Sequence, residues 1–321
     1  MIALGGNALL ERGEKPDATI QRHHVRRAAE ALAPIAAEHE LILCHGNGPQ
    51  IGVLALESEA DASLTRPYPL DVLGAQTQGM IGYWLVQELH NAGLTRPVVA
   101  VITQTVVDAT DPAFAVPTKL IGPVYSHAEA AQLAARHGWT IAADGPSWRR
   151  VVPSPQPQQI LEQESIARLV DAGTVVVCGG GGGVPITRDS TGRLTGIEAV
   201  IDKDLTAARL ALALAADQLV LLTDVPALMQ DFGTPQATPI PHLNLGQLAE
   251  LQLPAGSMGP KIEACRRFVE FTGNTAAIGA LTDAAAILAG NAGTTITSGL
   301  GSTAGPGPDG TKRLHAVTPG R

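Results

Sequence analysis

Five lysines stand among the 22 basic residues of this 321-residue chain, and the other 17 are arginine. A sequence that uses arginine almost everywhere keeps lysine where a compact, mobile ammonium matters, as beside a moving phosphoryl group. Lys15 and Lys312 lie in polar loop or tail sequence. Lys119, Lys203 and Lys261 lie in tight contexts: Pro117-Thr118-Lys119, Ile201-Asp202-Lys203-Asp204 and Ser257-Met258-Gly259-Pro260-Lys261. Taken singly, each could be a solvated surface charge. Asp202 and Asp204 flank Lys203 just before a helix. Spacing alone favours Asp204 as the helix N-cap over a role in holding two lysines together.

Three glycine-rich segments each follow an apolar strand: Gly5-Gly6-Asn7, Gly46-Asn47-Gly48, and the five glycines 179–183. A strand, glycines and a helix start together present free backbone N–H groups and the positive end of a helix, which suits an anion. One such loop is more simply a turn; three in the same setting favour anion binding. None has the GxxxxGK[ST] pattern, and none is GxGxxG with an acid about 20 residues on. Thr223-Asp224 closes another apolar strand, where it either grips a nucleotide or simply turns the chain. Trp148-Arg149-Arg150 either binds anions or packs and solvates.

Apolar strands alternate with amphipathic helices. Strands are expected at 2–4, 41–44, 97–103, 174–178, 218–222, 276–280 and 294–297, and helices at 19–37, 71–92, 159–171, 204–216, 244–251 and 260–272. A hairpin turns near Ser190-Thr191-Gly192. This alternation implies an α/β fold, a three-layer αβα sandwich around a mainly parallel sheet. In such sheets ligands sit beyond the carboxyl ends of the strands, where the glycine segments fall. Within 111–157 prolines cluster and both periodicities weaken, apart from one short helix after Ser126. That segment reads as an inserted, hairpin-rich subdomain in a domain spanning 1–298, with 299–321 a flexible tail.

The composition is 45% hydrophobic, 16% charged and 3% aromatic, so the core must be built from Ala, Val, Leu and Ile. A net charge of −8 argues against a nucleic-acid binder. No apolar run approaches the ~20 residues that cross a bilayer, and the N-terminus lacks signal-peptide character. Cys44, Cys178 and Cys265 are odd in number and far apart, which suggests buried thiols in a reducing compartment. No metal-ligand spacing is present, so no structural metal is expected. The residues alone therefore reach an anion-binding, phosphate-handling α/β enzyme without naming its substrate.

The chain resembles the carbamate kinases, within the wider amino acid kinase family. The matching segments are Ala3-Leu4-Gly5-Gly6-Asn7-Ala8, His45-Gly46-Asn47-Gly48-Pro49-Gln50, Gln76-Thr77-Gln78-Gly79 and Ile81-Gly82-Tyr83-Trp84. Further along come Pro117-Thr118-Lys119, Ile121-Gly122-Pro123, Trp148-Arg149-Arg150-Val151-Val152-Pro153-Ser154-Pro155 and Cys178-Gly179-Gly180-Gly181-Gly182. The last are Glu198-Ala199-Val200-Ile201-Asp202-Lys203-Asp204 and Gly256-Ser257-Met258 with Pro260-Lys261. Acetylglutamate kinases carry a lysine where this chain has Ala3; carbamate kinases lack it and look to replace its charge with the insert's lysine, here Lys119.

The resemblance implies reversible phosphoryl transfer between ATP and carbamate, giving ADP and carbamoyl phosphate, with Mg²⁺ carried on the nucleotide. It implies a cytoplasmic homodimer working towards ATP synthesis, with a place in arginine metabolism. It assigns Lys119, Lys203, Asp204 and Lys261 to catalysis, with Asp204 organising the lysines, and it implies that the inserted subdomain at 111–157 is a lid. Substrate donors would come from Gly5, Gly6, Asn7, Gly46, Asn47 and Gly48. Nucleotide contacts would come from Gly180, Gly181, Lys203, Thr223, Asp224, Ser257, Met258 and Lys261. The alternative is an enzyme of the same fold acting on another small carboxylate or phosphonate; a catalytically dead scaffold is a third reading, which the presence of all three lysines and Asp204 argues against.

Overall fold

A computed structural model describes residues 1–299 except 12 and 252–257. The expected contacts of Ser257 and the expected tail from 300 onward lie outside the described residues.

The central sheet has eight strands: β1 (Ile2–Leu4), β2 (Ile42–His45), β3 (Val98–Ala100), β9 (Val175–Val177), β12 (Gln218–Thr223), β15 (His242–Asn244), β16 (Thr275–Ala280) and β17 (Thr294–Thr297). Their order is β15-β17-β16-β12-β1-β2-β9-β3. Every pairing is parallel except β16 with β17. Alternation sends neighbouring side chains to opposite faces. Ile2, Leu4, Val220 and Leu222 pack with helices α1 (Ala18–Glu38) and α3 (Leu70–Asn91). Ala3, Leu219 and Leu221 pack with α6 (Lys203–Ala213) and α8 (Met258–Thr272). The fold is thus the expected αβα sandwich. On the second face the residues are small: Ala3, Ala207, Ala208, Ala211, Ala264 and Ala276 are all buried. Small side chains let α6 and α8 lie close on the sheet and on each other, which brings their N-terminal turns together.

A second sheet joins β4 (Gln104–Val106), β8 (Gln159–Ile160), β10 (Val184–Arg188) and β11 (Leu194–Gly196) in the order β11-β10-β4-β8. The β10–β11 hairpin falls at the expected turn. Two expectations need correction here. The single strand over 97–103 is regular only at Val98–Ala100, and the chain then passes the buried Thr103 to enter the second sheet as β4. The helix over 159–171 starts only at Gln163, as α5 (Gln163–Asp171). Residues 159–160 instead pair with β4, because Pro153, Pro155 and Pro157 feed the chain in extended.

Within 111–157 lies a three-stranded antiparallel sheet, β5 (Lys119–Tyr125), β6 (Thr140–Asp144) and β7 (Ser147–Val152), in the order β5-β7-β6. It carries α4 (His127–His137), whose capping box pairs Ser126 with Glu129. A short hairpin of β13 (Met229–Gln230) with β14 (Thr238–Pro239), and helices α7 (Leu245–Glu250) and α9 (Ala284–Leu288), complete the described elements.

Helix α2 (Gly48–Ala60) is not expected from the sequence. Its Gly48-Pro49 opening reads as a turn, and the polar Gln50 and Ser58 among its buried residues blur the apolar stripe. It is the seat of the 111–157 segment. A Cβ on Gly52 would lie 2.0 Å from Gly122 Cα, so α2 and β5 cross backbone to backbone. Ile51 and Ala55 pack beside this crossing with Ile121 and Val152. Glu59 on α2 accepts from Trp139 Nε1 at 3.2 Å and pairs with His137 Nδ1 at 2.8 Å.

Candidate active site

The carboxyl ends of β1, β2 and β12 converge. Gly5 N donates to Leu222 O at 2.9 Å, and Gly46 N donates to Leu4 O at 3.1 Å. A Cβ on Gly46 would lie 3.2 Å from Gly6 Cα and 3.5 Å from Lys203 Cδ. A side chain at Gly46 would therefore crowd the point where the two loops meet over the lysine. Asn7 lies in the 3-10 turn Gly6–Ala8. Asn47 is buried and donates from Nδ2 to Thr77 Oγ1 at 2.9 Å. A Cβ on Gly48 would come within 3.8 Å of Leu120 O, so the strand that begins at Lys119 runs beside this loop.

Lys203 opens α6 and Lys261 lies in the first turn of α8, each with under a tenth of its side chain exposed. Asp204 bridges them. Its Oδ1 accepts from Lys203 Nζ, and its Oδ2 accepts from Lys261 Nζ at 3.1 Å. Two buried ammonium groups would otherwise repel, and one buried carboxylate offsets both.

The electrostatics of the two lysines differ. Burial works to lower the Lys203 pKa, but the Asp204 and Asp202 carboxylates outweigh it and leave the group above the ordinary lysine value. For Lys261, burial and then the charge of Lys203 prevail over Asp204, so its pKa falls below the ordinary value. Lys203 is the firmly held cation and Lys261 the more readily discharged one.

The cap of α6 is a correction. Asp202, not Asp204, is the N-cap: its Oδ1 accepts from Asp204 N at 2.9 Å and Leu205 N at 3.3 Å. The helix begins one residue earlier than expected, which frees the Asp204 side chain for the lysines. The other oxygen of Asp202 accepts from Lys119 Nζ at 2.5 Å. Burial would raise the Asp202 pKa, but Lys119 and Lys203 hold it well below the usual carboxylate range. Lys119, Lys203 and Lys261 are thus joined through Asp202 and Asp204 in one cluster, three ammonium groups to two carboxylates.

Gly180 and Gly181 fall elsewhere in the arrangement. A Cβ on Gly180 would lie 2.3 Å from His45 Nε2, and one on Gly181 would lie 2.1 Å from Asn47 Nδ2. The loop is buried against the β2 loop. It is separated from Thr223 and Asp224 by the width of three strand spacings, ~14 Å. Thr223 ends β12 and donates from Oγ1 to Asp224 Oδ1 at 3.0 Å; Met258 opens α8. Ala3 is fully buried in the sheet face under α6 and α8.

Polar residues that sequence reasoning left unassigned stabilise these loops. Gln78 Oε1 accepts from Thr103 N at 2.9 Å, and Thr103 Oγ1 accepts from Gly179 N at 2.6 Å. Gly182 O accepts from Thr105 Oγ1 at 2.8 Å and Thr206 Oγ1 at 2.9 Å, which ties the glycine loop to α6. His45 is fully buried with Nδ1 2.9 Å from Gly46 O; burial lowers its pKa to about 4. The Gln76–Gly79 motif was the available signal for Gln78; nothing local marked Thr103 or Thr105. The three thiols are all buried, and burial pushes each pKa up, that of Cys44 to about 12. Among the described residues no three His, Cys, Asp or Glu side chains gather as a metal cage.

Buried lysines organised by an aspartate, beneath glycine loops at the carboxyl ends of a parallel sheet, define a phosphoryl-transfer enzyme. Residues 1–278 match the amino acid kinase family. The carbamate kinase of Rhizobium meliloti (strain 1021) is 50% identical over 301 residues, covering 93% of each chain. That of Escherichia coli (strain K12) is 48% identical, covering 92% of this chain and 98% of the relative. The solved structure of Giardia lamblia carbamate kinase bound to citric acid superposes with a TM-score of 0.87 at 38% identity, covering 92% of this chain and 97% of that one. The chain belongs to the amino acid kinase family, and within it to the carbamate kinases.

Proposed function

We propose that the enzyme transfers a phosphoryl group reversibly between ATP and carbamate, giving ADP and carbamoyl phosphate, and that it works towards ATP synthesis. The observation that carries this reading is the Asp204 bridge between two buried lysines, joined from the insert by Lys119. A carbamate oxygen attacks the γ-phosphorus, the bond to the bridging oxygen breaks, and its electron pair leaves with ADP. Carbamate is already an anion, so no general base is needed. Positioning and charge neutralisation then supply the catalysis.

Lys203 and Lys261 serve the transferring phosphoryl and the nucleotide phosphates, and Lys119 serves the acceptor side. Gly5, Gly6, Asn7, Gly46, Asn47 and Gly48 supply acceptor donors; Thr223, Asp224, Ser257 and Met258 serve the nucleotide. Gly180 and Gly181, packed on Asn47, support the acceptor loop. Mg²⁺ arrives as part of the nucleotide substrate. This suits an ion that keeps several waters and binds through phosphates rather than a protein cage. The 111–157 segment acts as a lid that excludes water.

A cytoplasmic homodimer is proposed as well. The outer edge of β3 and the exposed Ile102 and Tyr83 beside it support an interface there. No helix of the described residues is long and apolar enough to cross a membrane. The test is ATP formation from ADP and carbamoyl phosphate, run beside acetylglutamate, glutamate and UMP as acceptors from ATP. Turnover confined to another acceptor overturns the reading. Light scattering on the eluted peak that gives one chain mass, 33.1 kDa, overturns the dimer.

A further inference from the structure

Asp202 divides its carboxylate between two tasks. Oδ1 takes the first free N–H groups of α6, from Asp204 and Leu205. Oδ2 takes the ammonium of Lys119, 83 residues away in the insert. The first task fixes the carboxylate, because two backbone donors on one oxygen prevent it from swinging. The second then holds a side chain with much rotamer freedom to lose. Lys119 keeps about a quarter of its side chain exposed (28%), whereas Asp202 keeps 9%. The aspartate is the fixed post and the lysine the moving part. Capping alone does not require the charge, because asparagine and serine cap helices about as well as aspartate.

We propose that Asp202 is a positioning residue: it docks the insert's Lys119 beside the Lys203–Asp204–Lys261 cluster, so that the acceptor-side charge is in place before substrate arrives. This rests on the reading of Lys119 as the acceptor-side lysine. Asp202 need not touch substrate; it acts through Lys119, and the same residue sets the start of the helix that carries Lys203. One side chain thereby registers the insert against the catalytic helix.

The test is a cycle of Lys119→Ala, Asp202→Asn and the double variant in the full-length enzyme, measuring kcat/KM for carbamoyl phosphate, KM for ADP and Tm. Asp202→Asn keeps the cap and removes the charge. It should lower kcat/KM for carbamoyl phosphate by tenfold or more, leave KM for ADP within twofold and leave Tm within a few degrees. The double variant should be no worse than Lys119→Ala alone, because both changes remove one interaction. Asp202→Ser, a second uncharged cap, gives the same comparison should the asparagine variant fold poorly. If Lys119→Ala is impaired while Asp202→Asn matches wild type, or if the two losses multiply, the docking role is overturned and the acceptor-side reading stands. If Lys119→Ala is unimpaired, the acceptor-side reading falls and the docking role with it. Wild-type turnover of carbamoyl phosphate, measured first, tests the parent function separately.

Discussion

Replacing Asp204 by asparagine removes one charge and almost no volume, so its consequences are electrostatic. The two ammonium groups on its opposite oxygens would keep their mutual repulsion, about 3 kcal/mol at ~5 Å and an effective dielectric of ~20, and lose the carboxylate that offsets it. Loss of that carboxylate lowers the pKa of the weaker lysine further. Lys261 is that lysine, since burial and Lys203 already depress it. The basic limb of the kcat/KM profile should therefore move to lower pH, so the variant loses more activity at pH 8 than at pH 6. Stability carries the same sign. A lysine depressed in the folded state binds fewer protons than the unfolded chain, so stability rises with pH across the window between the two pKa values. Breaking a buried charge network costs ~3–5 kcal/mol, so Tm should fall clearly at pH 7 and recover part of the loss by pH 9. Kinetics and thermal melts of the variant at pH 6, 7, 8 and 9 read both effects. A wild-type pH profile together with an unchanged Tm would refute the bridge as the organiser of the two lysines.

Other expectations follow from the same geometry. Lys203→Ala and Lys261→Ala should each lower kcat by ~100-fold or more through lost stabilisation of developing charge; near-normal turnover in either removes that lysine from the mechanism. Gly52→Ala places a methyl group 2.0 Å from Gly122 Cα. It should lift the 111–157 segment off α2, raising KM for carbamoyl phosphate with ADP affinity retained, and equal losses for both substrates would contradict a lid role. His45 is held neutral to about pH 4 when folded but takes a proton near 6.5 when unfolded. Stability is then lost as pH falls from ~6.5 to ~4, by up to about 3 kcal/mol at 1.36 kcal/mol per unit. Urea melts of His45→Gln should lack that part of the acid sensitivity.

Much of this molecule is legible along the chain because its driving pattern is local. β1, β2 and β12 are short apolar runs leading into glycine or Thr-Asp, and α1 announces itself by period and α3 by length. What could not be read is set by contacts distant in sequence. Helix α2 is defined by Gly52 meeting Gly122 and by burial of Gln50, not by an apolar stripe. Residues 159–160 form a strand because β4 is there to pair with. At the site, the three lysines stood out by type, yet the division of labour between Asp202 and Asp204 depended on one residue of helix phase. The placement of the five-glycine loop against Asn47, away from Thr223, depends on strand order, which local sequence does not encode.

The burial of all three cysteines has a practical side. Sealed inside and with their acidity suppressed, they should leave the folded protein unreactive to maleimides and iodoacetamides. The natural chain is therefore a blank background for labelling. A single cysteine introduced at Val124, which is 41% exposed on β5, would be its one addressable thiol. A dye attached there could follow the insert through a catalytic cycle with no native cysteine first having to be removed.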